Sequence, residues 1–524
     1  MTTIETTEPK EILLKNINPN PLVYLYPGEE IASIRYTEEP KINRLPSAFR
    51  ELMRLTGANR IDEIGDYGPV LASLAIDDTE TNPDKKLFEV VFGRDSLQAS
   101  LDLMDYFPNL ARSTILTLAK NQGLEINLSR EEEPGRIPHE IRDPESDALA
   151  RELTKSRGWD WPYYGEVDAT PLFIKAIAQY CNVSNEPSGF LLEKFKNRND
   201  EDSSVADAFI MACKWIEGRL DANKEGLLEF KSAIPGGIEN QVWKDSYDAF
   251  SHSDGRLANH KQGIASIEVQ CLAYDALIDA SEIWSSLLGN QIQARELKIR
   301  ADELKKTILD KFWTDDKGGY FVLGTDRDDS GNLRQLKVRA SNMGHLLNSR
   351  LLEDSGSVYY DDIFRRREAV IKQLFSETML GLNGIRTLAT DEYLYRPGAY
   401  HNGSVWVWDN YYISQGLSKS GYHELAHLIN NKLLEDIKTT KRFPEFLRGD
   451  DDPNYRLNTR VIEVLNTNTG QQYKAEQPPQ DIQAWTVTSI ASLKMRRRDG
   501  QHKTLEARKL QLENYIIQSI KGVD

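Results

Sequence analysis

The feature of this chain that most constrains its fold is a long succession of amphipathic helical stretches. Apolar residues recur at spacings of three and four, as in Val269, Leu272, Ala273 and Ala276, which is the period of an α-helix. About a dozen such stretches fill roughly 430 residues, and the alternating runs typical of strands are almost absent. The sequence therefore predicts an all-α domain and argues against a βαβ-wound fold. The stretches cover residues 95–105, 110–121, 170–181, 204–219, 265–287, 291–313, 340–352, 361–379, 403–418, 422–437, 481–495 and 503–521.

Long connections separate alternate helices in this pattern. They are rich in glycine, proline, aromatic and charged residues, and loops of this length inside a compact domain are usually functional. Helices that pair as hairpins around a common axis would gather these loops at one end. We therefore predict a single six-hairpin (α/α)6 barrel with its site on the loop face. The connections cover residues 122–169, 220–264, 314–339, 380–402 and 438–480.

The beginning of the chain differs from the rest. Residues 1–86 are polar, punctuated by prolines and only weakly periodic, with a helix predicted near Ser47–Leu55 and a strand near Val70–Ile76. We interpret them as a short N-terminal extension or cap folded against the barrel, which then comprises residues 87–524. The stretch at 503–521 is expected to be a polar outer helix.

Charge and hydropathy restrict the possible partners. The formal net charge is -16, which disfavours nucleic acid and anionic membrane surfaces as partners and is easier to reconcile with a neutral substrate. The N-terminus lacks a basic segment followed by an apolar one, and no window approaches the ~18 apolar residues of a membrane span. We expect a cytoplasmic protein that binds neither nucleic acid nor membranes, and the sequence leaves its oligomeric state open.

One dense stretch of carboxylate, amide, indole and phenol groups, residues 239–248, follows a loop formed by Pro235, Gly236 and Gly237. Trp243 offers an apolar face to a sugar ring, and its neighbourhood would keep the carboxyl group of Asp245 protonated near neutral pH. A helix N-terminus, with the aspartate at a capping position and the tryptophan in the core, explains the same residues.

Further groups of polar and aromatic residues lie in the other connections. Each has a structural explanation beside the functional one: helix capping for GRDS at 93–96, a salt-bridged loop for PHEIR at 138–142, and an aromatic core for the tryptophan-rich and tyrosine-rich run 159–171. Aromatic faces interleaved with carboxylates suit a neutral polyol, so we favour sugar binding for 159–171. A lone histidine such as His401 is more often structural than catalytic.

Several other chemistries lack their sequence patterns. The chain contains no phosphate-binding loop, dinucleotide fingerprint, zinc-protease pattern or serine-hydrolase elbow,. Its three cysteines, Cys181, Cys213 and Cys271, have no metal-ligand spacing. The candidate carboxylates are interleaved with aromatics instead of being grouped as oxygen cages, so we expect no metal and no organic cofactor. Glycoside hydrolysis remains, since it needs only two carboxyl groups.

The ordered motifs of this chain resemble a known enzyme family. The chain is similar to the glucosidase domain of glycogen debranching enzymes, the amylo-α-1,6-glucosidase group, and more distantly to glucoamylase-like inverting enzymes with six-hairpin barrels. The resemblance covers roughly residues 87–495. The motifs are GRDS at 93–96, PHEIR at 138–142, YYGEVDATPLF at 163–173, ENQVWKDS at 239–246, EVQ at 268–270, GIRTLA at 384–389, YHNGSVWVWDN at 400–410 and PEF at 444–446.

The resemblance implies an inverting, exo-acting glycoside hydrolase for α-glucosidic linkages, most plausibly one that releases glucose from α-1,6 branch remnants of an α-glucan. Asp245 matches the general acid, and Glu445 matches the general base, which must be ionised to activate water. An inverting enzyme would hold these carboxyl groups roughly 6.5 to 9.5 Å apart. The positions that match the sugar site are Arg94, Asp95, His139, Glu140, Tyr164, Asp168, Trp243, Lys244, Arg386, His401 and Trp406.

Two alternatives to this function stay open. The first is a hydrolase of a small α-glucoside, such as trehalose or a compatible-solute glycoside. The second is a sugar-binding barrel without turnover, which the presence of both matching carboxyl groups disfavours.

Overall fold

A computed structural model describes residues 47–58, 67–76, 88–353, 360–465 and 472–495. The helix predicted at 503–521 and most of the N-terminal extension lie outside the described residues. Within these ranges, no helix is both long enough and apolar enough to cross a membrane.

Helices dominate the described chain, and its strands are short. The α-helices are α1 Ser47–Thr56, α2 Gly93–Leu103, α3 Pro108–Lys120, α4 Ala148–Arg157, α5 Ala169–Val183, α6 Pro187–Leu191, α7 Val205–Asp221, α8 Ile267–Ser286, α9 Gln291–Lys311, α10 Tyr360–Leu374, α11 Val407–Lys419, α12 His423–Thr440 and α13 Ala484–Met495. The strands are β1 Ser73–Leu74, β2 Val91–Phe92, β3 Glu140–Ile141, β4 Lys194–Lys196, β5 Asp202–Ser204, β6 Ala265–Ser266, β7 Trp313–Thr314, β8 Tyr320–Phe321, β9 Gly324–Arg327, β10 Leu333–Leu336, β11 Ile462–Leu465, β12 Gln472–Glu476 and β13 Ile482–Gln483.

Six helical elements form a closed inner ring. Helix α2 packs against α5, α5 against α8, α8 against a 3-10 helix at Ser341–Asn348, this helix against α11, α11 against α13, and α13 against α2 again. Helices α3, α7, α9, α10 and α12 each pack on the inner element that precedes them in the chain. This arrangement is an (α/α)6 barrel, so the predicted fold is confirmed.

The sixth helical pair joins the two ends of the described chain. Helix α1 packs against α13, and β1 pairs antiparallel with β13, which leads into that helix. The helix and the strand predicted for this region are therefore present. The proposed domain boundary after residue 86 stays a prediction.

Burial separates the inner helices from the outer ones. In α13, ten of the twelve residues are buried, as expected for a helix surrounded by others. Outer helix α9 instead buries a single stripe at spacings of three and four: Ala294, Leu297, Ala301, Leu304 and Ile308. The spacing of these buried residues is the same spacing from which the sequence analysis predicts amphipathic helices.

Two local predictions differ from the structure. The stretch 340–352 forms 3-10 helices at Ser341–Asn348 and Arg350–Leu352 instead of an α-helix, because apolar spacing does not distinguish the two types over a short segment. Helix α4 lies inside a connection that was expected to be a loop. It buries only Ala150, so its sequence has no apolar stripe to reveal it.

The short strands lie where the inner helices begin. Strand β2 leads directly into α2, β6 into α8 and β13 into α13. Most of the strands form two-stranded pairs, and β10, β9 and β6 form one sheet of three. Strand β2 pairs with β3, β6 with β9 and β13 with β1, and these pairs hold the starts of α2, α8 and α13.

The stripe of α9 generates a stability prediction. Leu297 is fully buried, so Leu297→Ala should lower the free energy of unfolding by about 2–5 kcal/mol through lost burial and the cavity left behind. Ile299 on the same helix is 48% exposed, and Ile299→Ala should change stability little. Urea unfolding of both variants measures the difference, and equal midpoints would contradict the assignment of α9 as an outer barrel helix.

Candidate active site

Polar side chains occupy the first turns of the inner helices. Asp95 lies in the first turn of α2, Asp168 at the N-cap position of α5, Glu268 in the first turn of α8 and Asp409 in that of α11. All four are buried. The positive end of a helix dipole favours a carboxylate at these positions.

Arg94 is the cation at the centre of this group. Its Nη2 donates to Glu166 Oε2 at 3.1 Å, and its Nε lies 3.3 Å from Asp168 Oδ2. Nδ1 of His139 lies 2.9 Å from the same oxygen of Glu166. Gly93 permits this geometry, because a Cβ there would overlap the carbonyl oxygen of Pro138.

Burial shifts the proton affinities of these groups. It raises the pKa of Glu166 to about 7 and that of Asp168 to about 7, although the positive charge of Arg94 opposes both shifts. Burial also lowers the pKa of His139 to about 4. His139 is therefore neutral at physiological pH.

Asp245 faces the Arg94 group from the loop that precedes α8. Burial raises its pKa, while the positive charge of Arg94 favours its ionised form. Its side chain remains partly accessible, because it also lines a cavity of about 700 Å³. The carboxyl group thus lies between a buried cluster and an open cavity.

Trp243, two residues earlier, lies in an aromatic cage. Its ring packs edge-on against Trp408 at 5.0 Å and Trp406 at 5.8 Å between centroids, and it stacks on His345 at 6.0 Å. It is 3% exposed. The indole therefore fixes the loop that carries Asp245.

Lys244 points into the barrel from the same loop. It is 1% exposed, and its Nζ donates to the carbonyl oxygen of Thr387 at 2.7 Å. Burial lowers its pKa to about 8, although the nearby negative charges of Asp409 and Glu268 oppose this shift. Its positive charge thus lies near carboxylates of both α8 and α11.

Glu445 lies in the loop before β11 and is held from two sides. The hydroxyl of Tyr400 donates to its Oε1, and the backbone N–H of Gln480 donates to its Oε2 at 3.1 Å. Burial raises its pKa to about 7 even though both donors favour the ionised form, and the charge of Asp245 adds to the rise. Burial thus favours the protonated form of Glu445, and the two donors favour the ionised form.

Two consecutive residues connect the loops of Asp245 and Glu445. Tyr400 contacts Glu445, while the next residue, His401, accepts at Nδ1 from the backbone N–H of Ser246 at 3.3 Å. Because Nδ1 accepts, neutral His401 carries its proton on Nε2. Burial lowers its pKa well below the usual value.

Several buried polar atoms around this region have no hydrogen-bond partner within the protein. Buried groups of this kind are rare in folded proteins unless a bound molecule or water satisfies them. They lie on the first turns of the inner helices and on the loops just described, as expected for a pocket that binds a polyol. They are Glu166 Oε1, Asp168 Oδ1, Trp243 Nε1, Glu268 Oε1, both side-chain polar atoms of Asn342, and His401 Nε2.

Most of the site residues predicted from the sequence come together here. Charge interactions or direct contacts join them into one cluster. They are Arg94, Asp95, His139, Asp168, Trp243, Lys244, Asp245, His401, Trp406 and Glu445.

Three predicted residues have their polar groups engaged elsewhere. The hydroxyl of Tyr164 donates to the carbonyl oxygen of Asn121 at 2.7 Å. Arg386 is bound by both carboxylate oxygens of Asp451, at 2.8 and 2.9 Å, and by two carbonyl groups.

Glu140 is the third of these residues, and it pairs with Arg142, which also binds Asp147. Different residues of the PHEIR segment therefore fit the two explanations considered for it, a salt-bridged loop and a functional site. Glu140 and Arg142 form a salt-bridged loop, while His139 faces the cluster.

The run 159–171 is divided in the same way. Trp159 stacks on Tyr163 with ring centroids 3.9 Å apart, and both belong with Trp161 to a small core beneath α4. Its aromatic residues are therefore a core, contrary to the sugar-binding interpretation. Its carboxylates Glu166 and Asp168 do belong to the site.

Sequence reasoning missed several residues of the site. Glu166, Glu268 and Tyr400 are not among the site residues predicted from the sequence. Each of them nevertheless lies in one of the motifs given above. No spacing pattern indicates that a tyrosine hydroxyl will hold Glu445, because that contact joins two distant loops. Among the described residues, no three His, Cys, Asp or Glu side chains are grouped as metal ligands.

Comparison with known proteins places this geometry in context. Residues 199–453 match the family model of the mannosylglycerate hydrolase MGH1-like glycoside hydrolase domain. The chain is a glycoside hydrolase. The prediction of this enzyme class is confirmed, whereas the resemblance to debranching enzymes is confirmed only to the level of six-hairpin glycosidases. No curated protein matches the chain significantly.

Solved structures of a GH63 mannosylglycerate hydrolase from Thermus thermophilus share the fold of this glycoside hydrolase. Its complex with glucose has a TM-score of 0.53 at 14% sequence identity, with 85% of this chain and 98% of that chain covered. Its complexes with Tris and with Tris and D-glycerate each have a TM-score of 0.52 at 12% identity over the same shares.

Proposed function

We propose that this glycoside hydrolase is an inverting, exo-acting enzyme for α-linked glucosyl units, with Asp245 as general acid and Glu445 as general base. The observation that carries the proposal is the convergence of these two carboxyl groups, far apart in sequence, on one buried cluster. Tyr400 and His401 tie their loops together. Their predicted separation of roughly 6.5 to 9.5 Å stays a prediction.

The contacts of the two carboxyl groups support this division of roles. Asp245 lines the open cavity, so a leaving group placed there would have its oxygen within reach of the acid. Glu445 is oriented by Tyr400 and Gln480 and is suited to removing a proton from a water that attacks the opposite face of the sugar. Water attack from that face converts an α-linked substrate into a β-configured product.

The surrounding charges suit the transition state of this reaction. Positive charge develops on the sugar ring as the glycosidic bond breaks. Asp95, Glu166 and Asp168 lie nearby, and Arg94 is the cation that they surround. In their ionised forms, such carboxyl groups stabilise this charge without further reorganisation in a site with little water.

Release of glucose from α-1,6 branch remnants is our first choice of substrate, from the resemblance to amylo-α-1,6-glucosidases. The match to a mannosylglycerate hydrolase-like domain favours a second candidate, hydrolysis of a small compatible-solute glycoside. Product release from panose and isomaltose, measured against trehalose, glucosylglycerate and mannosylglycerate, distinguishes the two. Preferred turnover of glycerate glycosides would favour the second.

Substitution of either carboxyl group tests the mechanism. Asp245→Asn and Glu445→Gln should each lower turnover of an unactivated substrate by at least ~100-fold, the usual contribution of positioned acid–base catalysis. α-Glucosyl fluoride needs no proton donor, so it should partly restore the Asp245 variant only. Proton NMR of the first product should show β-glucose. Initial α-glucose, or near-normal turnover by either variant, would refute the assignment.

The contact of Tyr400 with Glu445 generates a pH prediction. The base must be deprotonated, so kcat/KM should fall as the pH drops below about 7, the pKa of Glu445. The Tyr400 hydroxyl lowers this pKa by donating to the carboxylate, so Tyr400→Phe should raise it and move the acidic limb to higher pH. Tyr395→Phe, whose hydroxyl donates to the Gly449 carbonyl, should leave the limb unchanged. A limb that stays in place in Tyr400→Phe would rule out Glu445 as the titrating group.

A further inference from the structure

Asp245 takes part both in the Arg94 group and in the wall of the cavity beside it. It interacts electrostatically with Arg94, His139 and Asp168, and none of these three residues lines the cavity. A general acid must reach the oxygen between the sugar that is cleaved and the group that leaves. If Asp245 is that acid, which is the proposed function on which this inference rests, the cavity receives the leaving group.

Two tyrosines give this cavity an aromatic wall. Tyr247 and Tyr473 line it, with ring centroids 5.2 Å apart. Tyr247 is supported from behind by His260, on which it stacks at 6.1 Å and an interplanar angle of 13°. Both tyrosines are only partly buried. Partly exposed ring faces of this kind can pack against the apolar faces of sugar rings.

Apart from Asp245 itself, the charged groups of the cavity wall balance each other. Arg157 and Lys474 contribute two positive charges, and Glu239 and Glu463 contribute two negative ones. The wall therefore presents donors and acceptors without a net positive field that would select a carboxylate or a phosphate. This balance favours a neutral, hydroxyl-rich group over an acidic one.

The volume of the cavity restricts the size of its occupant. At about 700 Å³ it falls in the range of pockets that enclose drug-sized molecules. A three-carbon acid would contact only a small part of this wall. We propose that the cavity is a leaving-group subsite for a neutral saccharide of two or more rings, which packs on Tyr473 and Tyr247.

Substrates that share a glucosyl unit but differ in their leaving group test this inference. Panose releases maltose, isomaltose releases glucose, glucosylglycerate releases glycerate, and α-glucosyl fluoride leaves the cavity unused. We expect kcat/KM to be higher for panose than for isomaltose or glucosylglycerate. Tyr473→Ala should lower kcat/KM for panose roughly fivefold to tenfold, from the loss of one aromatic contact, and leave the fluoride unaffected. Tyr473→Phe, which keeps the ring, should retain the activity on panose.

The same variants decide against the inference in two ways. Equal losses on panose and on the fluoride would mean that Tyr473 supports the fold of the site, and an unchanged panose rate would mean that it is not part of a subsite. A preference for glucosylglycerate that is lost in Lys474→Gln would instead identify a small acidic leaving group.

Calorimetric titration with maltotriose, performed on proteins that also carry Glu445→Gln to suppress hydrolysis, tests the subsite without turnover. Tyr473→Ala should weaken binding roughly fivefold to tenfold relative to Tyr473→Phe, and equal affinities would overturn the inference. If the wild-type protein hydrolyses none of the glucosides, the proposed function fails, and the titration still decides whether the subsite exists.

Discussion

A cluster of buried carboxyl groups at one end of the barrel depends on the guanidinium group of Arg94. Glu166 and Asp168 contact it directly. Burial raises the pKa of Asp95 and of Asp245, and the charge of Arg94 opposes both shifts. Burying several like charges is costly unless a cation and oriented dipoles compensate. Arg94 supplies the cation, and the first turns of the inner helices supply the dipoles. Arg94 and the inner helices of the barrel together compensate the buried negative charge of the site.

The barrel also determines how two distant loops reach one another. Each inner helix begins at the same end, so the connections that precede these helices meet there. Tyr400 and His401 then join the loop of Glu445 to that of Asp245, and the ring of His401 stacks on Trp406 with an interplanar angle of 17°. Catalytic groups that must be held to within fractions of an ångström need supporting contacts of this kind. Here the support comes from a loop that carries neither carboxyl group.

The sequence predicts the barrel well because apolar residues at helical spacing mark the buried face of an amphipathic helix. The stripe from Ala294 to Ile308 is an example. Both carboxyl groups proposed for catalysis are selected because they lie in motifs that resemble those of a known family. The sequence does not reveal which way a polar side chain points once the loops have packed. Tyr164 and Arg386 have side chains suited to a sugar site, but they contact Asn121 and Asp451. Tyr400 contacts Glu445, although the sequence did not identify it as a site residue. These outcomes depend on tertiary contacts that no local pattern encodes.

The different accessibilities of Asp245 and Glu445 explain how two carboxyl groups with raised pKa values can take opposite roles. Burial is the main cause of both rises, and the charge of Asp245 adds to the rise of Glu445. Glu445 is already 3% exposed and keeps its two donors, so a bound sugar removes little water from it. Asp245 is partly accessible through the cavity, and a substrate that fills this cavity would desolvate it. Desolvation raises the pKa of a carboxyl group. Substrate binding would therefore favour the protonated form of Asp245, the group that we propose as the general acid.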